Sequence, residues 1–176
     1  MRVTAGLFRG RIFKSPRTRR THPMSDKMRS AMFNVLGDIS ELRVLDAFSG
    51  SGAIAFESVS RGAKTAVAVE RDSTAYAQLM QNIAELEIES QVKAVRANVS
   101  SWSDTNRKAR FDIVVCDPPY NHVQLATIRK LARHVADNGT LIVSLPVDIE
   151  QLDIVGMKLI KQQSYAGGGL RFYKPA

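Results

Sequence analysis

The residues best suited to chemistry lie in Asp117-Pro118-Pro119-Tyr120, directly after the apolar run Phe111–Cys116. Such a run is typical of a strand that is buried on both faces of a parallel sheet. Pro118 lacks an N–H group, and Pro119 keeps Pro118 out of the helical region, so the strand must end there. Ligands of open α/β sheets bind at the carboxyl ends of the strands, so this segment predicts an active site.

The chemistry of this segment fits an exocyclic amine on a nucleobase. The Asp117 carboxylate and the Pro118 carbonyl are two acceptors that can hold both N–H groups of such an amine and aim its nitrogen at an electrophile. The ring of Tyr120 can stack on a base that has left its own stack. Positioning and preorganised dipoles then supply most of the acceleration, without a strong base.

A second candidate site is the turn Asp46–Ala53, which contains Gly50 and Gly52. Glycines let the backbone approach a ligand, and the N-terminus of the following helix offers N–H donors. Glu70 ends the next strand about 20 residues on, where an acid commonly binds a ribose hydroxyl. The same glycines fit the G-x-G-x-x-A pattern of a nicotinamide enzyme, and this alternative stays open. Asp46 counts against it, because a carboxylate there repels a pyrophosphate but suits a cationic or amino-acid-like ligand.

Alternating strands and helices must position these two turns. Helices are predicted at about 26–38, 53–61, 73–87, around Trp102 and at 123–136, with a short one near 149–151; strands are predicted at 43–47, 65–70, 91–97, 111–116, 140–145, 155–163 and 170–174. Strict alternation followed by a hairpin predicts an α/β fold with a doubly wound, mostly parallel seven-stranded sheet and an antiparallel C-terminal hairpin. Residues 2–14 predict a small basic β-hairpin extension around Leu7–Gly10.

The excess positive charge of the chain is concentrated at its N-terminus. Of the net charge of +8, all comes from residues 1–30, which hold nine Arg or Lys and one acid, while the other 146 residues hold 16 basic and 16 acidic side chains. A basic arm on a neutral body is typical of a protein that binds a phosphate-rich partner. A tail that only aids solubility is the plainer alternative, but Val3 and Phe13 in it favour an ordered hairpin.

Composition limits the remaining classes. A single cysteine excludes an internal disulfide and fits a reducing, cytoplasmic setting. No apolar stretch approaches the roughly 18 residues of a membrane span, and the basic N-terminus has no signal-peptide core. His22, His122 and His134 show no metal-ligand spacing, so no metal is predicted. Cys116 is expected to be a packed thiol inside its strand, which argues against cytosine-C5 methylation.

Several other residues have two possible roles. Trp102 is expected to be a hydrophobic anchor, and His122 could meet the base or a phosphate because it lies close to Tyr120. Gly167–Gly169 is interpreted as a flexible hairpin turn, although a substrate contact stays possible there. Arg171 either touches RNA or contributes surface charge.

The two turns, Asp46–Gly52 and Asp117–Tyr120, resemble the signature motifs of class I S-adenosylmethionine-dependent amino-methyltransferases. The resemblance implies that Asp46 and the Gly50/Gly52 turn bind the methionine part of S-adenosyl-L-methionine and that Glu70 binds the ribose. Asn98 stands where the family usually has Asp for the adenine amine. The implied cofactor site is Asp46, Phe48, Ser49, Gly50, Gly52, Glu70, Arg71, Asn98, Val99 and Asp117.

More narrowly, the chain resembles the bacterial 16S rRNA guanine-N2 methyltransferase family, the RsmD family. The likeness covers the run Arg2–Gly6, Gly10-Arg11, the run Asp26–Asn34, both core motifs and the C-terminal glycine-rich hairpin. It implies transfer of a methyl group to N2 of one guanine in 16S rRNA, within the small ribosomal subunit. Met24 and Lys27 depart from the usual Thr and Arg of the family, which bears on RNA affinity or target choice.

We expect two parts of the chain: residues 1–24, a basic RNA-binding hairpin and connector, and residues 25–176, the S-adenosylmethionine-binding methyltransferase domain. No apolar patch in the sequence requires a dimer, so a monomer is expected. Asp117, Pro118 and Tyr120 are the expected catalytic residues. The expected RNA contacts are Arg9, Arg11, Arg17, Arg19, Arg20, Lys27, Arg29, Pro119, Tyr120 and His122. Two alternatives remain, namely a DNA adenine-N6 methyltransferase and a ribosome-assembly binding factor with little turnover.

Overall fold

The computed structural model describes residues 1–16, 24–149 and 152–176, so part of the short helix expected near 149–151 lies outside the described residues. Its helices are α1 (Asp26–Leu36), α2 (Ala53–Ser60), α3 (Ser73–Leu86), α4 (Val99–Thr105) and α5 (Leu125–Leu131). Its strands are β1 (Arg43–Asp46), β2 (Thr65–Glu70), β3 (Val92–Arg96), β4 (Phe111–Cys116), β5 (Val135–Leu145), β6 (Met157–Tyr165) and β7 (Gly168–Pro175).

The strands form one seven-stranded sheet in the order β3-β2-β1-β4-β5-β7-β6. The pairs among the first five strands are parallel, and β7 pairs antiparallel with both β5 and β6. This arrangement confirms the predicted doubly wound sheet with an antiparallel C-terminal hairpin. The strand order reverses between β1 and β4, where Asp46 pairs with Val115. The carboxyl ends of these two strands therefore meet at the switch point of the sheet, where such folds bind ligands.

Helices cover the sheet on both faces, and alternating residues of the central strands fill the two cores. On β4, Ile113 and Val115 belong to one buried cluster, which α1 joins through Met32, whereas Val114 belongs to the other. Trp102 of α4 joins the cluster of Val114 and lies 6.2 Å from the Phe111 ring, as expected of a hydrophobic anchor. Burial on both faces explains why the central strands are continuous apolar runs.

The largest difference from the predicted elements lies between residues 123 and 140. The sequence predicts a helix to Ala136 and a strand from Thr140, because Asn138-Gly139 between them is a typical turn signal; instead α5 ends at Leu131 and β5 begins at Val135. The pairing of β4 with β5 shifts from Phe111–Val135 to Ile113–Thr140, so residues 136–139 form a bulge inside the strand. Burial of Val135 against β4 favours a strand here over the helix end that Asn138-Gly139 suggests. Asn138 and Gly139 lie in the bulge instead.

The C-terminal hairpin is tighter than predicted, since its turn is only Ala166-Gly167 and Tyr165 already pairs with Gly168. The N-terminal hairpin is looser than predicted. Its two arms make a single bridge, Arg2 with Ile12, in place of two regular strands. The backbone of Val3 still donates to the Arg11 carbonyl at 3.0 Å, which closes the loop.

The N-terminal arm, residues 1–16, is docked on the α/β core. Its Val3 and Phe13 are buried, and the Phe13 ring meets Phe56 edge to face at 5.2 Å. The buried Glu57 of α2 accepts hydrogen bonds from the Thr4 N–H (2.8 Å), the Thr4 hydroxyl (2.6 Å) and the Ala5 N–H (3.0 Å). A buried carboxylate needs such partners to offset its lost hydration, so the arm and α2 stabilise each other.

The same network corrects the prediction for Arg29, which has no exposed surface and therefore cannot contact RNA. Its guanidinium donates to Asp26 and to the Arg2 carbonyl, each at 2.9 Å, and lies 3.5 Å from Glu57. The face of α1 that carries Arg29 points inward, because Met28, Met32 and Phe33 on it are buried. Arg29 therefore holds the arm to the core.

Candidate active site at the carboxyl ends of the parallel strands

A cavity of about 440 Å³ opens at the switch point of the sheet. Its size suits a ligand as large as a nucleoside derivative. The loops after β1, β2, β3 and β4 all contribute to its walls. The predicted site residues that line it are Phe48, Ser49, Gly50, Glu70, Arg71, Asn98, Val99, Asp117 and Pro119.

The two glycines of the first loop have different roles. Gly50, at a φ of 53°, lines the cavity, and its N–H donates to Glu70 Oε2 at 2.8 Å. Gly52 adopts a φ of 89°, and a Cβ there would lie 2.3 Å from the Phe56 ring and 2.6 Å from Leu79. Gly52 is therefore needed for packing of the loop against α2 and α3. Of the two glycines, Gly50 is the one placed where a ligand could approach the backbone closely.

Asp46 does not line the cavity; it is completely buried behind the residues that follow it in the loop. Its Oδ2 accepts from the Ala55 N–H at 3.2 Å, whereas its Oδ1 makes no hydrogen bond of ordinary length among the described residues, although the Ser49 hydroxyl lies close enough to lower the pKa of Asp46. Burial raises the pKa of Asp46 to about 7, and the nearby Asp117 carboxylate raises it too. An unpaired acceptor beside a cavity is typical of a site that a cationic ligand completes.

Glu70 is prepared to bind a pair of hydroxyl groups. Its Oε2 accepts from Gly50 and its Oε1 accepts from the Asp72 N–H at 2.7 Å. Each carboxylate oxygen has a second lone pair, so Glu70 can still accept from two ribose hydroxyls. The backbone bonds fix the orientation of the carboxylate before any ligand binds.

Asn98 sits at the start of α4 and uses its side-chain oxygen as the helix cap. That oxygen accepts from Ser100 N–H at 2.9 Å and from Ser101 N–H at 3.3 Å. Asn98 lines the cavity, and because its oxygen is used by the cap, its amide NH₂ group, which can only donate, is the part with unused hydrogen-bonding capacity. An Asp at this position would offer only acceptors, so Asn98 offers a ligand a hydrogen-bond donor in place of an acceptor.

The Asp117 carboxyl lies where β4 ends and is hydrogen-bonded by the Met24 N–H and the Ser144 hydroxyl. Burial raises its pKa to about 6, while these two hydrogen bonds favour the charged form. Asp117 is therefore ionised at neutral pH and accepts hydrogen bonds only. Burial also raises the pKa of Cys116 above its usual range, so this side chain is the inert packed thiol that we expected.

The residues after Asp117 become progressively more exposed as the chain leaves β4. Pro118 is buried and Pro119 lines the cavity, and the Pro119 carbonyl accepts from the His122 N–H at 2.9 Å. Tyr120 is 37% exposed, and its hydroxyl lies 2.7 Å from Ser144 Oγ. Tyr120 thus lies beside the cavity and leaves part of its ring free for a substrate, whereas His122 is exposed.

The basic residues of the predicted RNA surface fall into three groups. Arg9, Arg11 and Lys27 are exposed, and the Arg11 guanidinium covers the Phe8 ring at 5.7 Å from its centroid. Arg17, Arg19 and Arg20 lie outside the described residues. Arg29 is buried, as is Arg171, whose guanidinium donates to the Ile149 carbonyl, so Arg171 is neither surface charge nor an RNA contact.

Sequence reasoning missed the part of the cavity wall that the N-terminal segment supplies. Ser15, Pro16 and Met24 line the cavity beside the core loops, as does Gln124. The sequence marks Met24 only as a departure from the family pattern and gives no sign of its place in the wall. Ser144 was also missed, although a single hydroxyl within the apolar run Leu141–Leu145 is a signal that could have identified it.

Other predicted absences concern membranes and metals. In residues 1–16, 24–149 and 152–176, no helix is long and apolar enough to cross a membrane. The same ranges contain no group of three His, Cys, Asp or Glu side chains arranged to hold a metal ion. His134 is buried and bonded to the Ser103 hydroxyl at 2.8 Å and to the Ala109 carbonyl at 2.9 Å, so it has a structural role.

The fold and the acidic ends of its central strands define a protein of the Rossmann-like methyltransferase class. The structure superposes on that of Escherichia coli yhhF with a TM-score of 0.87 and 29% sequence identity, over 99% of this chain and 97% of that one. The chain belongs to the family described as Conserved hypothetical protein 95, whose model matches residues 1–174, and this confirms the resemblance to the RsmD family.

Two relatives extend the comparison. Bacillus subtilis YlbH is 28% identical over 181 residues, which cover 99% of this chain and 98% of that protein. The Escherichia coli protein named Ribosomal RNA small subunit methyltransferase D is 32% identical over 142 residues, which cover 80% of this chain and 69% of that protein.

Proposed function

We propose that the protein transfers a methyl group from S-adenosyl-L-methionine to the N2 amine of a guanine in 16S rRNA. The observation that carries the proposal is the Asp117 carboxyl directly after β4, which lines a cavity of about 440 Å³ at the switch point. Relatives named for methylation of small-subunit ribosomal RNA support the choice of substrate.

The cavity residues fit the cofactor in three places. The unpaired Asp46 Oδ1 supplies negative charge for the ammonium of the methionine part, through the loop or a bridging water, because Asp46 itself does not reach the cavity. Glu70 accepts from the ribose hydroxyls, and the Asn98 NH₂ group donates to a ring nitrogen of the adenine. When bound, the cofactor supplies an electrophilic methyl group on a sulfonium.

On the substrate side, Asp117 and the Pro118 carbonyl accept the two N–H groups of the guanine amine. This fixes the nitrogen and makes its lone pair available, although the ring normally delocalises it. Pro119 and the exposed part of Tyr120 receive the base after it leaves its stack. The rate enhancement comes from orientation and fixed dipoles.

The experiment that tests this function supplies labelled cofactor to the purified protein with naked 16S RNA, assembled small subunits or duplex DNA. The nucleic acids come from cells that lack the enzyme, and labelled nucleosides are identified afterwards. We expect N2-methylguanosine from RNA. N6-methyladenine from DNA would replace the proposal with the adenine-N6 alternative, and tight RNA binding without turnover would favour a ribosome-assembly factor.

The exposed basic side chains of the arm give RNA affinity through phosphate contacts, which do not specify the base. Arg9, Arg11 and Lys27 are the described members of this surface, and Arg17, Arg19 and Arg20 extend it along the sequence. Because Glu57 and Arg29 hold the arm to the core, RNA bound along the arm is held at a fixed distance from Asp117.

Replacement of Arg9, which is exposed on the arm, should weaken RNA binding without affecting the cofactor. We expect Arg9→Gln to raise the Kd for RNA about threefold to tenfold and to lower the slope of log K against log salt by about 1. Fluorescence anisotropy between about 50 and about 200 mM salt measures both quantities. Lys108→Gln, an exposed change before β4, is the control, and an equal effect of both changes would contradict a specific arm contact.

A further inference from the structure

Ser144 near the end of β5 is a completely buried hydroxyl between two proposed active-site groups. Its Oγ lies 2.7 Å from the Tyr120 hydroxyl and also hydrogen-bonds the Asp117 carboxylate. Its neighbours on the strand, Val143 and Leu145, are apolar and fully buried. A lone polar side chain in such a run is costly unless it is bonded, and both of the bonds of Ser144 lead to the site.

The direction of these hydrogen bonds follows from the number of protons. The ionised Asp117 carboxylate has only acceptors, so the Ser144 hydroxyl must donate to it. Ser144 has a single proton, so the bond to Tyr120 must come from the phenol, which stays protonated because burial raises its pKa. The chain therefore runs from Tyr120 O–H to Ser144 O–H to the Asp117 carboxylate.

We propose that Ser144 is a positioning residue for the proposed methyl transfer: its hydroxyl fixes the Asp117 carboxylate and the Tyr120 ring in one arrangement. The inference rests on the proposed function. The same arrangement uses the hydroxyl proton of Tyr120 in the bond to Ser144. Tyr120 therefore contacts the substrate with its ring and not as a hydrogen-bond donor.

The neighbouring strand completes the arrangement around Tyr120. A Cβ on Gly168 would lie 2.2 Å from the Tyr120 hydroxyl oxygen, so only glycine leaves room for the phenol. Gly168 belongs to β7, which pairs with β5 at Ser144–Leu170. Tyr120 is thus held between two paired strands, and sites on paired strands are more precise than sites on loops.

The charged and titratable groups around Asp117 come from several elements. The Asp117 carboxylate disfavours the charge of Asp46 of β1, and the Met24 N–H favours the charge of Asp117. Cys116 of β4 stays a thiol. The positive charge of Arg171 on β7 lowers the pKa of Tyr120, which burial raises. Ser144 supplies one of the two hydrogen bonds that oppose the burial of Asp117, so its removal should raise the pKa of Asp117.

The test compares wild type with Ser144→Ala by ¹³C NMR titration of the aspartate carboxyl carbons, with Asp117→Asn to assign the Asp117 signal. The wild-type midpoint is expected near pH 6. Loss of a hydrogen bond to a charged group should raise it by about one unit in the variant. The pH profile of kcat with RNA should move by the same amount, so that the loss of activity is about fivefold near pH 6 and smaller above pH 8.

Two further variants make the test decisive. Ser58→Ala removes another fully buried hydroxyl, which donates to the Ile54 carbonyl at 2.8 Å, and should leave the midpoint unchanged. Ser144→Cys keeps the volume with a weak donor and replaces Ser144→Ala if that variant does not fold. An unshifted Asp117 midpoint in an active protein would overturn the role of Ser144, whereas a wild type that methylates none of the RNAs would overturn the proposed function itself.

Discussion

Asp117→Asn is expected to lower kcat for methyl transfer about 10²- to 10³-fold. The amide has almost the shape of the carboxylate, so the change tests charge and acceptor number. One of the two oxygens becomes an NH₂ group, which meets the N–H groups of the substrate amine donor to donor. The fixed negative charge that stabilises the developing cation on the nitrogen is also lost.

The measurement is single-turnover transfer at saturating RNA, with cofactor affinity obtained by calorimetry. Asp112→Asn is a matched control, because Asp112 lies at the other end of β4 and accepts from the Arg43 N–H at 2.8 Å. It should keep the wild-type rate. If Asp117→Asn retained more than a third of that rate, Asp117 would not be the residue that holds the amine.

The sequence alone was sufficient for the parts of the fold that are set by continuous burial. β2 and β4 have the predicted bounds, since most of their residues are apolar and the sheet is covered on both faces. Glu70 and Asp117 were found for the same reason, because polar side chains directly after such runs lie at the carboxyl edge of the sheet. The β5 bulge was missed, since Asn138-Gly139 signals a turn equally well at a helix end or within a strand.

Residues that depend on contacts distant in sequence could not be predicted. Arg29 lies in a basic segment and was taken for a surface residue, yet its partner Glu57 is 28 positions away on another helix. Met24, which precedes Asp117 in the sequence, and Ser144, which follows it, both donate hydrogen bonds to the Asp117 carboxyl. Such pairs arise from tertiary packing, which leaves no periodicity in the sequence, and in this protein they hold the proposed RNA arm and the active site together.

Asp46→Asn is expected to stabilise the unliganded protein while it weakens cofactor binding. Burial raises the pKa of Asp46 from 3.8 to about 7. The folded protein therefore holds a proton that the unfolded chain releases, so this group lowers the free energy of unfolding progressively as the pH rises from about 4 to about 7. Above pH 7 the full penalty of a buried charge is present, and the neutral amide avoids it.

The expected gain at pH 8 is about 2 to 4 kcal/mol, since each pKa unit corresponds to about 1.4 kcal/mol. Urea unfolding at pH 5 and pH 8 should show a larger gain at pH 8, because Asp46 is mostly protonated at pH 5. Asp38→Asn is the opposite control: Asp38 is exposed, and its hydrogen bonds with Ser40 hold its pKa below the usual value, so its replacement should not stabilise. A loss of stability in Asp46→Asn at both pH values would show that the charge of Asp46 is already compensated in the folded protein.

The same variant should bind S-adenosyl-L-methionine at least about tenfold more weakly, because the ammonium loses its opposite charge. Proton release on cofactor binding, measured by calorimetry in buffers of different ionisation enthalpy, should be present in wild type near pH 7 and absent in Asp46→Asn. The two effects have one physical cause. A buried carboxylate with few partners costs stability in the free protein, and we expect the same charge to favour a positively charged ligand over a pyrophosphate.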